Sequence, residues 1–344
     1  MSDYKICIIM PTYNSERYLK TTIDSIINQS IGFDNLELII IDDKSTDGTR
    51  DIIKDFSNKY YNIIYKFLDK NLGHPGAVRN KGMEIASAKY IMFCDHDDEY
   101  DEDLCEILYN TISQEKDCDL VGCNNYMVDA LNHPYKISTF DINDERTHID
   151  SKNMFEYANV YIWTKIFKKE IIVKNNIRYI TEGIGEDTIF CLDYLLHSKS
   201  AIHLNNYYGY YHYIRGDNLS TSNMKWILDY FDMIDVINDR FGKYLKDIDS
   251  DKFYQNRINS ILLAILSLKE NDWSSIDCLI NKLNNLEKEI NYKTTYEKSF
   301  FNKFINNLII KNHLTLATLA VYISNRIYKN KFILKFYRKF VLKK

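Results

Sequence analysis

Tyr90-Ile-Met-Phe-Cys-Asp-His-Asp-Asp98 is an apolar run that delivers three carboxylates to the point where a strand would end. Carboxylates in that position can hold a hard divalent cation against phosphate oxygens, because such cations are bound by one or two carboxylates together with substrate phosphates. An acidic loop, or a helix N-terminus that favours negative charge, would give the same letters. A second stretch of the same kind, Ile39-Ile-Ile-Asp-Asp43, stands about fifty residues upstream. The recurrence shifts the reading from one acidic loop to a sheet whose strand tips share a job.

The intervening pattern supports that sheet. Residues 5–10 are an apolar run closed by Pro11, the signature of a strand buried on both faces. Tyr18, Leu19, Ile23, Ile26 and Ile27 recur at helical spacing over 15–29, with Asn14 or Ser15 as the expected N-cap. Strands over 36–41, 63–67 and 90–93 alternate with helices over 49–60 and 76–86. Repeated units of this length predict an α/β fold: an open, mostly parallel sheet with helices on both faces. Ligands of such sheets lie at the carboxyl ends of strands, where Pro11-Thr-Tyr-Asn14, Asp42-Asp43 and Asp95-His-Asp-Asp98 all fall. Further strands are expected over 120–124, 163–167 and 207–214, with a helix over 186–197. From residue 225 the pattern is helical, which gives a catalytic domain over 1–224 and a helical region over 225–344 with a soft border.

Composition narrows the function. The 344 residues are 45% hydrophobic and 27% charged, ordinary for a globular protein. Seven cysteines are scattered without paired metal spacing, as in a reduced protein. No apolar leader precedes the first strand, and no run reaches the roughly eighteen apolar residues that span a bilayer. The expectation is a cytoplasmic chain, at most peripheral on the inner face of the cell membrane. From Lys298 onward there are eleven basic and no acidic residues, so with a whole-chain charge of −4 the first 297 residues carry −15. An acidic body excludes nucleic acid as the main partner. Tyr328, Phe332, Phe336 and Phe340 recur every four residues among those cations, so residues 325–344 read either as a basic amphipathic helix for an anionic membrane surface or as a terminal helix packed on the acidic body.

The ordered set Pro11-Thr-Tyr-Asn14, Ile41-Asp-Asp-Lys-Ser-Thr-Asp-Gly-Thr49, Gly76-Ala-Val-Arg-Asn-Lys-Gly82 and Phe93-Cys-Asp-His-Asp-Asp98 resembles the family-2 glycosyltransferases, closely over residues 4–110 and more loosely to about 222 through Gly185-Glu-Asp-Thr-Ile-Phe190 and Tyr211-His-Tyr-Ile-Arg215. The resemblance implies the GT-A (Rossmann-like) fold, with a nucleotide-binding half over 1–110 and an acceptor-binding half over 111–224. It implies an inverting transfer of a hexosyl or N-acetylhexosaminyl group from a nucleotide donor, UDP-linked by expectation, to a glycan or lipid-linked acceptor in cell-surface polysaccharide or glycoconjugate synthesis.

By the same resemblance Pro11, Tyr13 and Asp43 line the base pocket, Arg79 lies beside the base or phosphates, and Asp95 meets the ribose. Asp97 holds Mn²⁺ or Mg²⁺, joined by His212, although a histidine on an apolar strand is more often a satisfied core residue. Asp187 is the base that takes the acceptor proton, while Glu186, Trp163 and Lys165 face the acceptor. Other readings stand beside these. Asp42 and Asp43 suit a capped turn into the helix at Thr49, Arg79 a surface ion pair, Glu186 and Asp187 a helix start, and Asp98 a cap for a helix near Asp101. His96 is expected on the opposite side of an extended backbone. Lys44 stands where the family has glycine, and His74-Pro-Gly where it has Gly and Ser. The class-distant alternative is a non-catalytic sugar-nucleotide or glycan binding module.

Overall fold

The computed structural model describes residues 4–140, 143–150, 153–157, 161–215, 224–245, 272–289 and 300–329, with isolated helical positions between 254 and 265. Two compact units emerge, Met1–Asn218 and Leu219–Lys344. The sequence pattern put the border at 224.

In the first unit the β-α alternation appears as read. Strands β1 (Ile6–Thr12), β2 (Leu36–Asp42), β3 (Ile63–Phe67) and β4 (Tyr90–Phe93) alternate with helices α1 (Leu19–Ile27), α2 (Thr49–Lys59) and α3 (Pro75–Ile85). All four strands run parallel in the order β3-β2-β1-β4. Every residue of β1, β2 and β4 is buried, which is why they are near-continuous apolar runs, interrupted within β2 by buried Glu37, instead of alternating ones. Each Ile or Leu taken from water there contributes about 1.5–3 kcal/mol. The α1 stripe Leu19, Ile23 and Ile26 packs inward. In α3, Gly82 lies so close to β1 that a Cβ would stand 2.4 Å from Ile9 Cγ2.

Beyond β4 the pairing changes direction. The chain continues through β5 (Glu99–Tyr100), α4 (Leu104–Gln114), β6 (Leu120–Val128), β7 (Pro134–Ile137), β8 (Arg146–Ile149), α5 (Met154–Tyr157), β9 (Lys165–Lys168), α6 (Lys169–Lys174), α7 (Glu186–His197) and β10 (Ala201–Tyr213). β9 enters antiparallel between β4 and β6, and β10 returns parallel to β6. The sheet is therefore parallel in its first half and mixed in its second, within the α/β class expected.

The helix caps need correcting. Asn14 and Ser15 do not cap α1, which begins four residues later after a turn. Asn14, at φ 48°, accepts the Thr46 N–H through Oδ1 (2.9 Å), and the Ser15 N–H donates to Thr49 Oγ1 (2.7 Å). They tie the β1 turn to the β2 turn, a contact between segments thirty residues apart that no local cap rule anticipates. Asp98 does not cap α4 either; it is buried, and its role appears below.

The second unit is helical: Met224–Leu245, Trp273–Glu289, Phe300–Ile310 and Leu314–Lys329. The last three pack together through Ile276, Leu279, Leu283, Ile305, Ile309, Ala317 and Val321. Among the described residues no helix is long and apolar enough to cross a membrane. Residues 330–344 of the basic tail lie outside the described residues.

Candidate active site

Strand order places the tips of β2, β1 and β4 side by side, within two strand spacings or about 10 Å. At the β1 tip Pro11 is buried in the sheet and Tyr13 is 47% exposed, its ring free to cover a ligand.

At the β2 tip both acids are buried and engaged by the protein itself. Asp42 accepts the Ser45 N–H on both oxygens (3.2 Å each) and is ion-paired with Arg50 Nε. Asp43 accepts from the N–H groups of Leu72 (2.7 Å) and Gly73 (3.1 Å), and its carbonyl from Asn71 Nδ2. Asp42 thus takes the turn role, and Asp43 shapes the 71–73 loop next to the β1 tip.

The β4 tip is different. The chain turns at His96 and Asp97, so the alternation of an extended strand does not apply: His96 Nδ1 lies 3.5 Å from Asp97 Oδ1, on the same side. Asp95 and Asp97 are partly exposed, and the charged groups that meet them are mainly cations, Arg79 Nη2 at 2.6 Å from Asp95 and Arg215 Nε at 3.3 Å from Asp97. Arg215 also donates to the Asp97 carbonyl and lies over the Tyr18 ring, 3.6 Å from its centre. Asp98 turns inward instead. It accepts from Tyr210 Oη (3.0 Å), His212 Nδ1 (2.9 Å) and the Tyr213 N–H (2.9 Å), anchoring the end of β10. Burial pushes the Asp98 carboxyl up to about 6 against the opposing hydrogen bond from His212. For His212, burial acts downward, and the bond and charge of Asp98 outweigh it to leave the ring above its ordinary value. With Nδ1 held on a carboxylate, Nε2 is the nitrogen left for a ligand, the arrangement of a metal-binding histidine. Among the described residues no group of three or more His, Cys, Asp or Glu side chains could hold a metal by itself.

On the acceptor side, α7 starts at Glu186 behind Gly185, whose φ of 81° a side chain would resist. Asp187 Oδ1 lies 3.1 Å from Arg79 Nη1, and Glu186 Oε1 3.7 Å from the same nitrogen. Burial pushes Asp187 up to about 7; Arg79 and Lys165 pull against it, and Glu186 and Asp95 add to it.

Three expectations change. Arg79 is neither a surface ion pair nor open to a nucleotide: it is 3% exposed, with its fork on Asp95 and Asp187. Trp163, in the 3-10 turn Ile162–Thr164, is buried between Tyr161 (4.3 Å) and Tyr210 (4.0 Å) and presents no face to an acceptor. Lys165 is wholly buried, donates to the Tyr161 carbonyl (2.7 Å), and is pushed down to about 8 by burial. The exposed ring of that stack is Tyr161.

Residues 7–172 match the family model for glycosyl transferase family 2. Over that stretch the first unit is similar to the family-2 glycosyltransferases. Relatives include the poly(ribitol-phosphate) beta-N-acetylglucosaminyltransferase TarP of Staphylococcus aureus, 35% identical over 57% of this chain and 59% of that protein. The poly(ribitol-phosphate) beta-glucosyltransferase of Bacillus spizizenii is 32% identical over 62% and 33%. The cholesterol galactosyltransferase of Borreliella burgdorferi is 29% identical over 64% and 63%. The chain thus spans a third to under two thirds of the length of these relatives. In fold it is similar to S. aureus TarS 1–349, crystallised with UDP-GlcNAc, at TM-score 0.57 and 19% identity over 94% of this chain and 91% of that one. The first unit thus has the GT-A architecture expected of it.

Sequence reasoning missed Tyr210, which joins the Asp95 N–H (3.2 Å) to Asp98, and the pair Asn80 and Tyr179 described below. Tyr210 was readable: it precedes His212 by two residues on one strand and so shares its face. Asn80 and Tyr179 carried no local signal.

Proposed function

We propose that this chain is an inverting, metal-dependent glycosyltransferase that moves a hexosyl or N-acetylhexosaminyl group from a UDP-sugar to a glycan or lipid-linked acceptor of the cell surface. The observation that carries the reading is a single buried guanidinium joining Asp95, at the nucleotide side, to Asp187, at the first turn of the acceptor-side helix. The names of the relatives support hexosyl donors and polyol-phosphate or sterol acceptors, and the TarS complex supports a UDP donor.

In this reading the uracil ring lies under Tyr13 beside Pro11, in the wall that Asp43 shapes, and the ribose hydroxyls donate to Asp95. Asp187 takes the proton from the acceptor hydroxyl as that oxygen forms its bond to the anomeric carbon, on the face opposite the breaking bond to the diphosphate. Its position near neutrality suits a base that must be ionised yet basic. Glu186, one residue away, orients the acceptor. Asp97 and Nε2 of His212 would hold Mn²⁺ or Mg²⁺, since one free carboxylate and one carboxylate-backed imidazole fit a cation that completes its shell with phosphate oxygens. Bound there, the cation supplies positive charge where negative charge collects on the departing diphosphate. The reaction takes place at the cytoplasmic face. Leu316, Leu319 and Ile323 form an exposed stripe on the helix Leu314–Lys329, inside the segment that has eleven basic and no acidic residues, which favours docking on an anionic membrane. Replacing Leu316, Leu319 and Ile323 with aspartate and removing the residues after Ser324 should abolish liposome binding at low salt and leave UDP binding intact.

The test is UDP release from UDP-glucose, UDP-N-acetylglucosamine and UDP-galactose with Mn²⁺, with and without poly(ribitol phosphate), on wild type and Asp187→Asn. Donor binding with no turnover of any donor and acceptor would point to a non-catalytic binding module.

A further inference from the structure

Arg79 has an unusual workload for a residue expected beside a nucleotide. Nη2 meets Asp95 at 2.6 Å, Nη1 meets Asp187 at 3.1 Å and Glu186 at 3.7 Å, and the guanidinium lies over the Tyr179 ring, 5.5 Å from its centre. A planar fork with fixed donor directions sets the relative position of the two carboxylates it grips, which a flexible ammonium would not. The fork is itself aimed by the segment that leads into α7. Asn80 Nδ2 donates to the Tyr179 carbonyl and Asn80 Oδ1 accepts from the Tyr179 N–H, both at 3.0 Å. His74 caps α3, accepting from the Gly76 N–H on Nδ1 (3.1 Å) while Nε2 donates to the Gly183 carbonyl (3.0 Å). Gly76 backs onto the same segment, where a Cβ would stand 2.5 Å from the Ile180 carbonyl oxygen. Helix α3 is thus fastened at three points to residues 179–183, just before the proposed base.

We propose that Arg79 is a positioning residue for the transfer: its buried fork clamps Asp187 to Asp95, so that the carboxylate which receives the acceptor proton is held aimed and ionised. The inference rests on the reading of Asp187 as base. Asp187 faces Arg79 from α3, Asp95 from the β4 tip, Lys165 from β9, Glu186 on its own helix, Tyr179 from the preceding segment and Cys191 one turn on. Removing Arg79 leaves the carboxylates of Asp95, Glu186 and Asp187 crowded together, with the buried Lys165 ammonium to offset them. Protonation of Asp187 is then the cheapest relief.

The experiment compares Arg79→Met and Arg79→Lys with wild type and Asp187→Asn in the full chain, measuring kcat and donor KM across pH, UDP affinity by calorimetry, and melting temperature. In Arg79→Met, kcat at pH 7 should fall by about 30-fold or more with donor KM within about threefold, on the scale of a disabled general base. The acid limb of its pH profile should move up by about one unit or more, so that the deficit narrows in alkali. Arg79→Lys should recover part of both losses. A wild-type kcat and unshifted limb in Arg79→Met, or a raised donor KM with intact kcat, overturns the proposal, the latter by returning Arg79 to the donor. If Arg79→Met does not melt cooperatively, Arg79→Lys decides by the same criteria. Turnover retained in Asp187→Asn removes the base reading itself; Asp187→Asn inactive beside normal Arg79 variants removes only this inference.

Discussion

At the end of β2, Asp42 and Asp43 give their carboxylates to the chain's own donors; at the end of β4, Asp95 and Asp97 stand partly open with a cation beside each. Both tips are Ile- or Phe-rich strands running into acids, and in sequence they look alike. The difference lies in what arrives from elsewhere. The first receives N–H groups from Ser45, Leu72 and Gly73 together with the Arg50 guanidinium, and both carboxylates are buried among them. The second receives Arg79 and Arg215, whose charge other anions and cations can compete for. In the proposed function the buried tip builds the wall of the site and the open one takes part in binding.

That contrast can be broken by substitution. The largest effect is expected beyond both tips, at the proposed base: Asp187→Asn should lower kcat by about 10²–10⁴ with UDP affinity unchanged, measured by initial rates and calorimetry. Asp42→Ala leaves Arg50 without its buried partner and the Ser45 N–H without an acceptor, and should cost about 3 kcal/mol in urea unfolding. Asp97→Ala should instead keep stability within about 0.5 kcal/mol while weakening Mn²⁺-dependent UDP binding about tenfold or more. If Asp42→Ala spares stability, or Asp97→Ala unfolds the chain, the two tips do not divide the work as described.

Smaller effects sharpen the picture. Asp187, lifted to about 7, is mostly protonated below that pH and ionised above it. The wild-type kcat/KM should therefore rise with pH through an inflection near neutrality, and a flat profile through that range would contradict the base. Lys44 sits at φ 65°, left-handed backbone next to the buried tip, where the resembling family has glycine. Lys44→Gly removes the strain but adds unfolded-state freedom, for a net gain of about 0.5 kcal/mol in urea unfolding, with UDP binding unchanged.

The strands and helices of the first hundred residues were legible because each is written locally, in near-continuous apolar runs and helical stripes. The helix start at Glu186 and Asp187 was legible too, behind Gly185. Trp163 and Lys165 were not: burial of a lysine among Tyr157, Cys123 and Cys191 depends on the antiparallel entry of β9 between β4 and β6, and nothing in residues 161–168 announces it. Asp98 failed for the same reason, since its partners lie more than a hundred residues onward.

By itself, the sequence determined that acids stand at the ends of two strands and that a further pair opens a later helix, because period and composition dictate strands and helices within a few residues. Only the tertiary structure decided which of those acids are spent and which remain for a ligand. A carboxylate's role depends on the donors and cations that reach it, and here those come from Leu72, Arg79, His212 and Arg215, brought to the tips by folding and not by spacing along the chain.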